Sequence, residues 1–287
     1  LVDKKSISNS ETGDLLSMEK LSSFSLSSLF RYRASDMRFE LLGILICMVI
    51  WFLAGWLFSL MPVNGLAQFY DFLPIPTFKA LSHLAGEKRF WLSVVASLRR
   101  VFIGISIAAL IGIPMGLVTG FYPVLRNISY APTQFLRMVS PLAWMPVALI
   151  VFTEFESAIC FLIVMATVWP IILNTASRAA SVNPQWVKMA MNQGADHLQI
   201  FRTIIIPASL PGILGSIRLA LGVAWIVLVP AEFLGVASGL GYLINDARDT
   251  MAYDNLMAII LTIGILGFTL DKIFQMIQSS FTRSWIA

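Results

Sequence analysis

The sequence predicts an all-α protein that crosses a membrane several times, and three observations carry that prediction. Of the 287 residues, 57% are hydrophobic and only 13% are charged, about half the charged share of an ordinary soluble domain. The apolar residues fall in long blocks, close to the roughly 20 residues a helix needs to cross about 30 Å of hydrocarbon. Alternating apolar and polar segments of about 10 residues, the mark of a membrane barrel, are absent, which leaves helices as the structure that satisfies its own backbone in lipid.

Taken in order, residues 1–38 are Ser-rich and carry Lys4, Lys5, Lys20, Arg31, Arg33 and Arg38. They read as a cytoplasmic tail followed by an interfacial amphipathic helix. A secretory signal is not expected, because the apolar block comes late, is long and is followed by no small-residue cleavage site. Residues 39–287 form the transmembrane domain, with six spans expected at about 40–61, 91–118, 127–151, 157–176, 209–231 and 257–279. An even number puts both termini on one side. With the termini cytoplasmic, the inner segments hold the basic tail plus Arg126, Arg178, Lys188, Arg202 and Arg283, against Lys79, Lys88, Arg89 and Arg248 outside. That arrangement satisfies the positive-inside rule, and its inverse does not.

The stretch 62–90 is then an external loop, where Pro74 and Pro76 are expected to hold the chain extended before a short helix. Span two contains Gly112, Gly116 and Gly120 at four-residue spacing, which lets two helix backbones approach closely, in the same chain or across a dimer. Cys47 and Cys160 lie in apolar blocks with no metal-ligand spacing and read as buried thiols. No phosphate-binding G-x4-G-K-[ST] loop and no H-E-x-x-H occur, and the histidines are His83 and His197. The chain therefore carries no equipment for ATP hydrolysis or metal catalysis, and the energy for any transport comes from another subunit or from an ion gradient. The basic balance reports membrane orientation here rather than nucleic-acid binding.

The longest inner loop, about 177–208, is where the chain could meet a cytoplasmic partner. It reads as two short helices joined at a sharp corner. Asn183 is a suitable N-cap with Pro184 at the first helical position. Gly194 can take the left-handed conformation that ends the helix, and Asp196 with Gln199 can form a capping box for the next one. Trp186, Met189 and Ala190 fall on one side and Lys188 and Asn192 on another, a surface suited to docking in a groove and equally to plain interfacial packing.

The segment Lys188-Met189-Ala190-x3-Gly194-x9-Ile204-x-Ile206-Pro207 resembles the E-A-A-x3-G-x9-I-x-L-P loop of ABC importer permeases. Here Lys188 stands for the acidic residue, Met189 for an alanine and Ile206 for the leucine. Resemblance extends from about residue 73 to 275: Leu73-Pro74-x-Pro76 is similar to an external LPSP segment, and the segments opening at Ser97, Ser216 and Gly239 to the second helix, the fifth helix and an external scoop. The family is that of nitrate, sulfonate, bicarbonate and taurine permeases, and FLRMVSPLAWMPVALIVF is closest to the nitrate and bicarbonate branch.

The resemblance implies a type I ABC importer permease fold, in a bacterial inner membrane. It implies two cytoplasmic ATPase subunits that hold the ATP and magnesium, a second permease copy and an external substrate-binding protein, with no cofactor in this chain. The coupling residues it implies are Trp186, Lys188, Met189, Ala190, Gly194, Ala195, Asp196, Ile204 and Pro207. The cargo it implies is a small anion, nitrate or nitrite first, with bicarbonate, cyanate or an organosulfonate as alternatives.

Charges at membrane depth are costly and face protein or water, so Arg99, Arg100 and Arg218 are candidates for an anion path. A guanidinium holds a planar oxyanion through two parallel hydrogen bonds. The alternative is that Arg218 pairs with backbone carbonyls and that Arg99 or Arg100 snorkels outward. Glu232, at the outer end of span five, suits docking or gating better than anion binding. Trp144 and Pro146 interrupt span three, and Trp225 lies about two turns beyond Arg218; each is a gate candidate or ordinary core. Two rivals remain. An ion-coupled carrier would show internal repeats around a midplane site, and no repeat is visible. A membrane enzyme would need paired carboxylates or histidines within an apolar block, and none is visible.

Overall fold

The structure, a computed structural model, describes residues 26–59, 70–233 and 235–286, apart from the side chains of 26–38, 40–41, 58–59 and 281–286. Most of the expected tail therefore lies outside the described residues. The chain divides into two units, Leu1–Pro74 and Ile75–Ala287. In the first, α1 (Leu26–Ser59) is a 34-residue helix whose apolar stretch runs from Leu42 to Leu57. Near its end the Trp51 indole N–H donates to the Phe72 carbonyl at 3.0 Å.

Pro74 and Pro76 do not hold the chain extended. Both lie in the first turn of α2 (Pro74–Leu84), where a missing N–H leaves no intrahelical bond unmade and the fixed φ of proline favours the helix. The second unit continues through α3 (Lys88–Phe121), α4 (Pro123–Met138), a 3-10 turn Pro141–Trp144 and α5 (Met145–Val151). Then come α6 (Phe155–Ala180), α7 (Pro184–Asn192), α8 (His197–Glu232), α9 (Leu240–Asp249) and α10 (Tyr253–Ile286).

Among the described residues each of the six expected spans lies mostly on helix, but they are not six clean crossings. Among the described residues, α3, α6, α8 and the Tyr253–Ser280 part of α10 are long and apolar enough to cross a membrane. The third expected span is broken, with the axis turning by 85° between α4 and the Pro141–Val151 segment. Pro141 supplies the reason, since it removes a backbone donor and pushes the preceding Ser140 out of the helical region, to φ -56 and ψ 128. Span five is longer than expected, because the second short helix of the inner loop is continuous with it through 36 residues.

The core sits where α3, α6 and α8 pack together. A Cβ on Gly116 would stand 2.6 Å from Thr175 Cβ and 2.8 Å from the Ile172 carbonyl, and one on Gly112 would stand 2.8 Å from Ile171 Cγ2. Gly120 is equally tight against Ala176 and Ala179. The glycine stripe of α3 is thus consumed by α6 of the same chain, with the backbones in direct approach. Val101, Leu162, Ile163, Leu221 and Leu228 fill the space between the three helices.

Candidate functional site

The inner-loop corner is built by local chemistry. Asn183 caps α7 by accepting from Gln185 N–H at 2.9 Å, with Pro184 next in line. At the other end Gly194 lies at φ +84. Its N–H donates to Met191 O and that of Ala195 to Ala190 O, both at 3.0 Å, the paired bonds by which a left-handed residue closes a helix. Asp196 and Gln199 form the reciprocal capping box, with Gln199 N–H to Asp196 Oδ1 at 2.6 Å and Asp196 N–H to Gln199 Oε1 at 3.0 Å. The start of α8 then passes through a π segment, Phe201–Ile205, in which Ile206 N–H reaches back to Phe201 O. The wider turn ends as Pro207, lacking a donor, enters the helix.

The corner sorts the expected coupling residues into two groups. Trp186, Lys188 and Met189 are exposed, the two apolar ones by 53% and 61%. Ala190 lies instead on the inner side with Val187, and both pack with Ala195 and Ile204 against Leu117, Ala179 and Ile200. Pro207 is half-buried in the first turns of α8. Among the described residues the outer face is exposed, with Trp186 and Met189 beside Lys188, and the inner face packs against the core.

A second constellation lies on α3, α6, α8 and the segment before α9. Arg100 and Glu232 are fully buried, and Arg100 Nη1 donates to Glu232 Oε1 at 2.5 Å and to Ser238 O at 2.9 Å. Its Nε donates to Glu156 Oε2 at 3.1 Å and its Nη2 to Glu156 Oε1 and, at 3.1 Å, to Ser238 Oγ. A guanidinium has five N–H donors, and all five here meet protein acceptors. Glu232 also accepts from Ser97 Oγ at 2.7 Å and Gly241 N–H at 2.8 Å, while Ser97 Oγ accepts from Leu240 N–H at 2.8 Å. Arg100 therefore does not snorkel, and Glu232 anchors the start of α9. Arg99 is exposed and shares Glu156 at 3.1 Å, at one end of an otherwise apolar cavity of about 710 Å³ between α3 and α6 that reaches Met115 and Trp169.

Arg218 pairs with a side chain rather than with carbonyls. Its Nε and Nη2 meet the two oxygens of Asp271 on α10, each at 2.7 Å. About two turns further along α8, Trp225 packs on Gly267 and donates to Ile263 O at 3.1 Å. Trp144 and Met145 pack against the main core, while Pro146 is exposed. Glu156, Asp271, Ser97 and Ser238 were not among the expected residues. A carboxylate inside an expected apolar span is itself a signal that a counter-charge must be near, and Asp271 carries that signal.

Residues 108–286, well over half of the chain, match the family described as binding-protein-dependent transport system inner membrane component. The chain is 31% identical over 218 residues to the nitrate import permease protein NrtB of Synechocystis sp., covering 76% of this chain and 78% of the relative. It is 34% identical over 197 residues to the bicarbonate transport system permease protein CmpB of Synechococcus elongatus, covering 68% and 70%. It is 33% identical over 218 residues to the taurine transport system permease protein TauC of Escherichia coli, covering 74% and 79%. Among solved structures, inward-facing MetNI methionine ABC transporter aligns with a TM-score of 0.58 at 18% identity, over 69% of this chain and 98% of that one. An amino acid ABC transporter aligns with a TM-score of 0.56 at 16% identity, over 78% and 100%. With the helical core, the glycine corner and these matches together, the chain belongs to the family of inner membrane components of binding-protein-dependent transport systems and has the type I ABC importer permease fold.

Proposed function

We propose that the chain is the translocation subunit of an ATP-driven importer for a small anion, with nitrate or nitrite first and bicarbonate, cyanate or an organosulfonate as the alternatives. The observation that carries the coupling half of this reading is the exposed Trp186–Lys188–Met189 face, held by a glycine corner and a capping box. Such a rigid apolar knob fits a cleft on a cytoplasmic ATPase subunit, and movement there would pass into the 36-residue α8 without a flexible joint. The anion half rests on the relatives, whose cargoes divide between nitrate, bicarbonate and taurine.

In this reading α7 and both termini face the cytoplasm, a second copy of the chain completes the pathway, and an external binding protein delivers the cargo. Of the path candidates, Arg218, Arg99 and Trp225 keep exposed or half-exposed surface. Arg100 and Glu232, saturated by protein partners, serve as the frame, and Trp144 with Pro146 shapes the bend beside it. The test is to purify the whole complex and titrate each anion with its binding protein. Stimulation of ATP hydrolysis by nitrate or nitrite above the other anions is expected. A complex that moves anions without nucleotide would replace this reading with the ion-driven carrier.

A further inference from the structure

The Arg218–Asp271 pair sits where a charge is costly. At 1.5 Å per residue Arg218 lies roughly 21 Å from the Glu232 end of α8, well inside the length of a hydrocarbon core. Both partners nevertheless keep surface open, the Arg218 side chain by 32% and that of Asp271 by 43%. A half-open ion pair at that depth faces water or protein rather than lipid. Open space lies along both helices near the pair: a Cβ on Gly222, one turn along α8, or on Gly264, two turns back along α10, would meet nothing within 4 Å, while Trp225 covers Gly267 between them. Lys272 adjoins Asp271 on α10 and lies over the Phe268 ring at 5.3 Å.

The geometry of the pair states what the fork recognises. Nε and Nη2 of one guanidinium meet the two oxygens of one carboxylate at equal distances of 2.7 Å, the bidentate side-on match between a planar fork and a planar two-oxygen anion. We infer that Asp271 is an internal stand-in for the transported ion: a planar oxyanion enters the Arg218 fork by displacing the Asp271 carboxylate, and Asp271 returns to the fork when the ion leaves. This rests on the anion reading above and adds the selectivity element to it. The exchange keeps the guanidinium paired at every stage.

The test uses the permease with its ATPase subunits in lipid nanodiscs, without the external binding protein, and reads the binding of isotopically labelled nitrate from its NMR line broadening. Asp271→Asn removes the competing charge and keeps the shape, so nitrate should bind roughly tenfold more tightly or better, the scale of a charge-assisted hydrogen bond. Arg218→Gln should abolish binding. Bicarbonate, also planar, should gain as nitrate does, and methanesulfonate should gain less; an equal gain for methanesulfonate overturns the planar class.

Unchanged nitrate affinity in Asp271→Asn overturns the inference. If that variant does not assemble, the exchanged pair Arg218→Asp with Asp271→Arg decides, because it keeps the ion pair and moves the fork to α10. Altered nitrate affinity supports the stand-in, whereas wild-type affinity, or failure of both variants to assemble, marks a structural strut and overturns it. A wild-type importer that responds to no small anion even with its binding protein removes the anion reading itself, a result separate from all of these.

Discussion

Gly194 stands at φ +84 with nothing within 4 Å of the place a Cβ would take, so any substitution there acts through the backbone alone. Gly194→Val should cost about 1–2 kcal/mol for the left-handed conformation, more for its β-branch, and should tilt α7. The expected outcome is normal insertion with uptake and substrate-stimulated ATP hydrolysis both reduced, measured on the reconstituted complex. Arg100 is the opposite case, since its removal strands a buried carboxylate on Glu232. Arg100→Met should destabilise the permease by about 3–5 kcal/mol, and adding Glu232→Gln should recover part of the loss, read as thermal unfolding of the detergent-solubilised protein. The corner was legible in the sequence because every partner lies within a few residues: Asn183 with Gln185, Gly194 with Met191, Asp196 with Gln199. The Arg100 network was not, because its partners Glu156 and Glu232 lie 56 and 132 residues away and only the packing of three helices brings them together.

Between elements, α3 and α6 show the same division. The spacing of Gly112, Gly116 and Gly120 announces a close approach, and the sequence leaves open whether the neighbour is internal or a second chain. The neighbour is α6, so Gly116→Leu should force Thr175 and the Ile172 carbonyl aside. Overpacking of this kind costs typically about 1–3 kcal/mol, and a lower melting temperature with an unchanged oligomeric state is the expected result. Helix α9 is fastened to α3 at two points, through Ser97 at Leu240 and through Arg89, which meets Asp246 and the Tyr242 hydroxyl, each at 3.0 Å. Ser97→Ala leaves one oxygen bond of Glu232 and the Leu240 N–H unmade, so amide exchange in the first turn of α9 should rise before exchange elsewhere in the helix. That span three is interrupted was expected at Trp144 and Pro146, whereas the 85° break lies a turn earlier, between Met138 and Pro141, because a proline near the start of a helix is tolerated and the angle is one that packing chooses.

For the molecule as a whole, the all-helical membrane class followed from composition, and the positions of the spans followed from the apolar blocks. The proposed orientation places Lys188 in the cytoplasm and Lys88 outside. Cysteines introduced at these positions should accordingly differ toward an impermeant reagent added from outside, with position 88 labelled and position 188 protected; the reverse pattern inverts the whole topology. The π segment Phe201–Ile205 bears on how such a molecule transmits motion. Each wide turn holds one residue more than an α-turn, which sets the angular phase of everything downstream about 100° apart from an uninterrupted helix. The two halves of α8 are therefore keyed to each other like a shaft with an offset coupling: the azimuth of Arg218 and Trp225 is set against the Gly194 corner by a turn one residue wider than an α-turn, in a helix that neither bends nor breaks there.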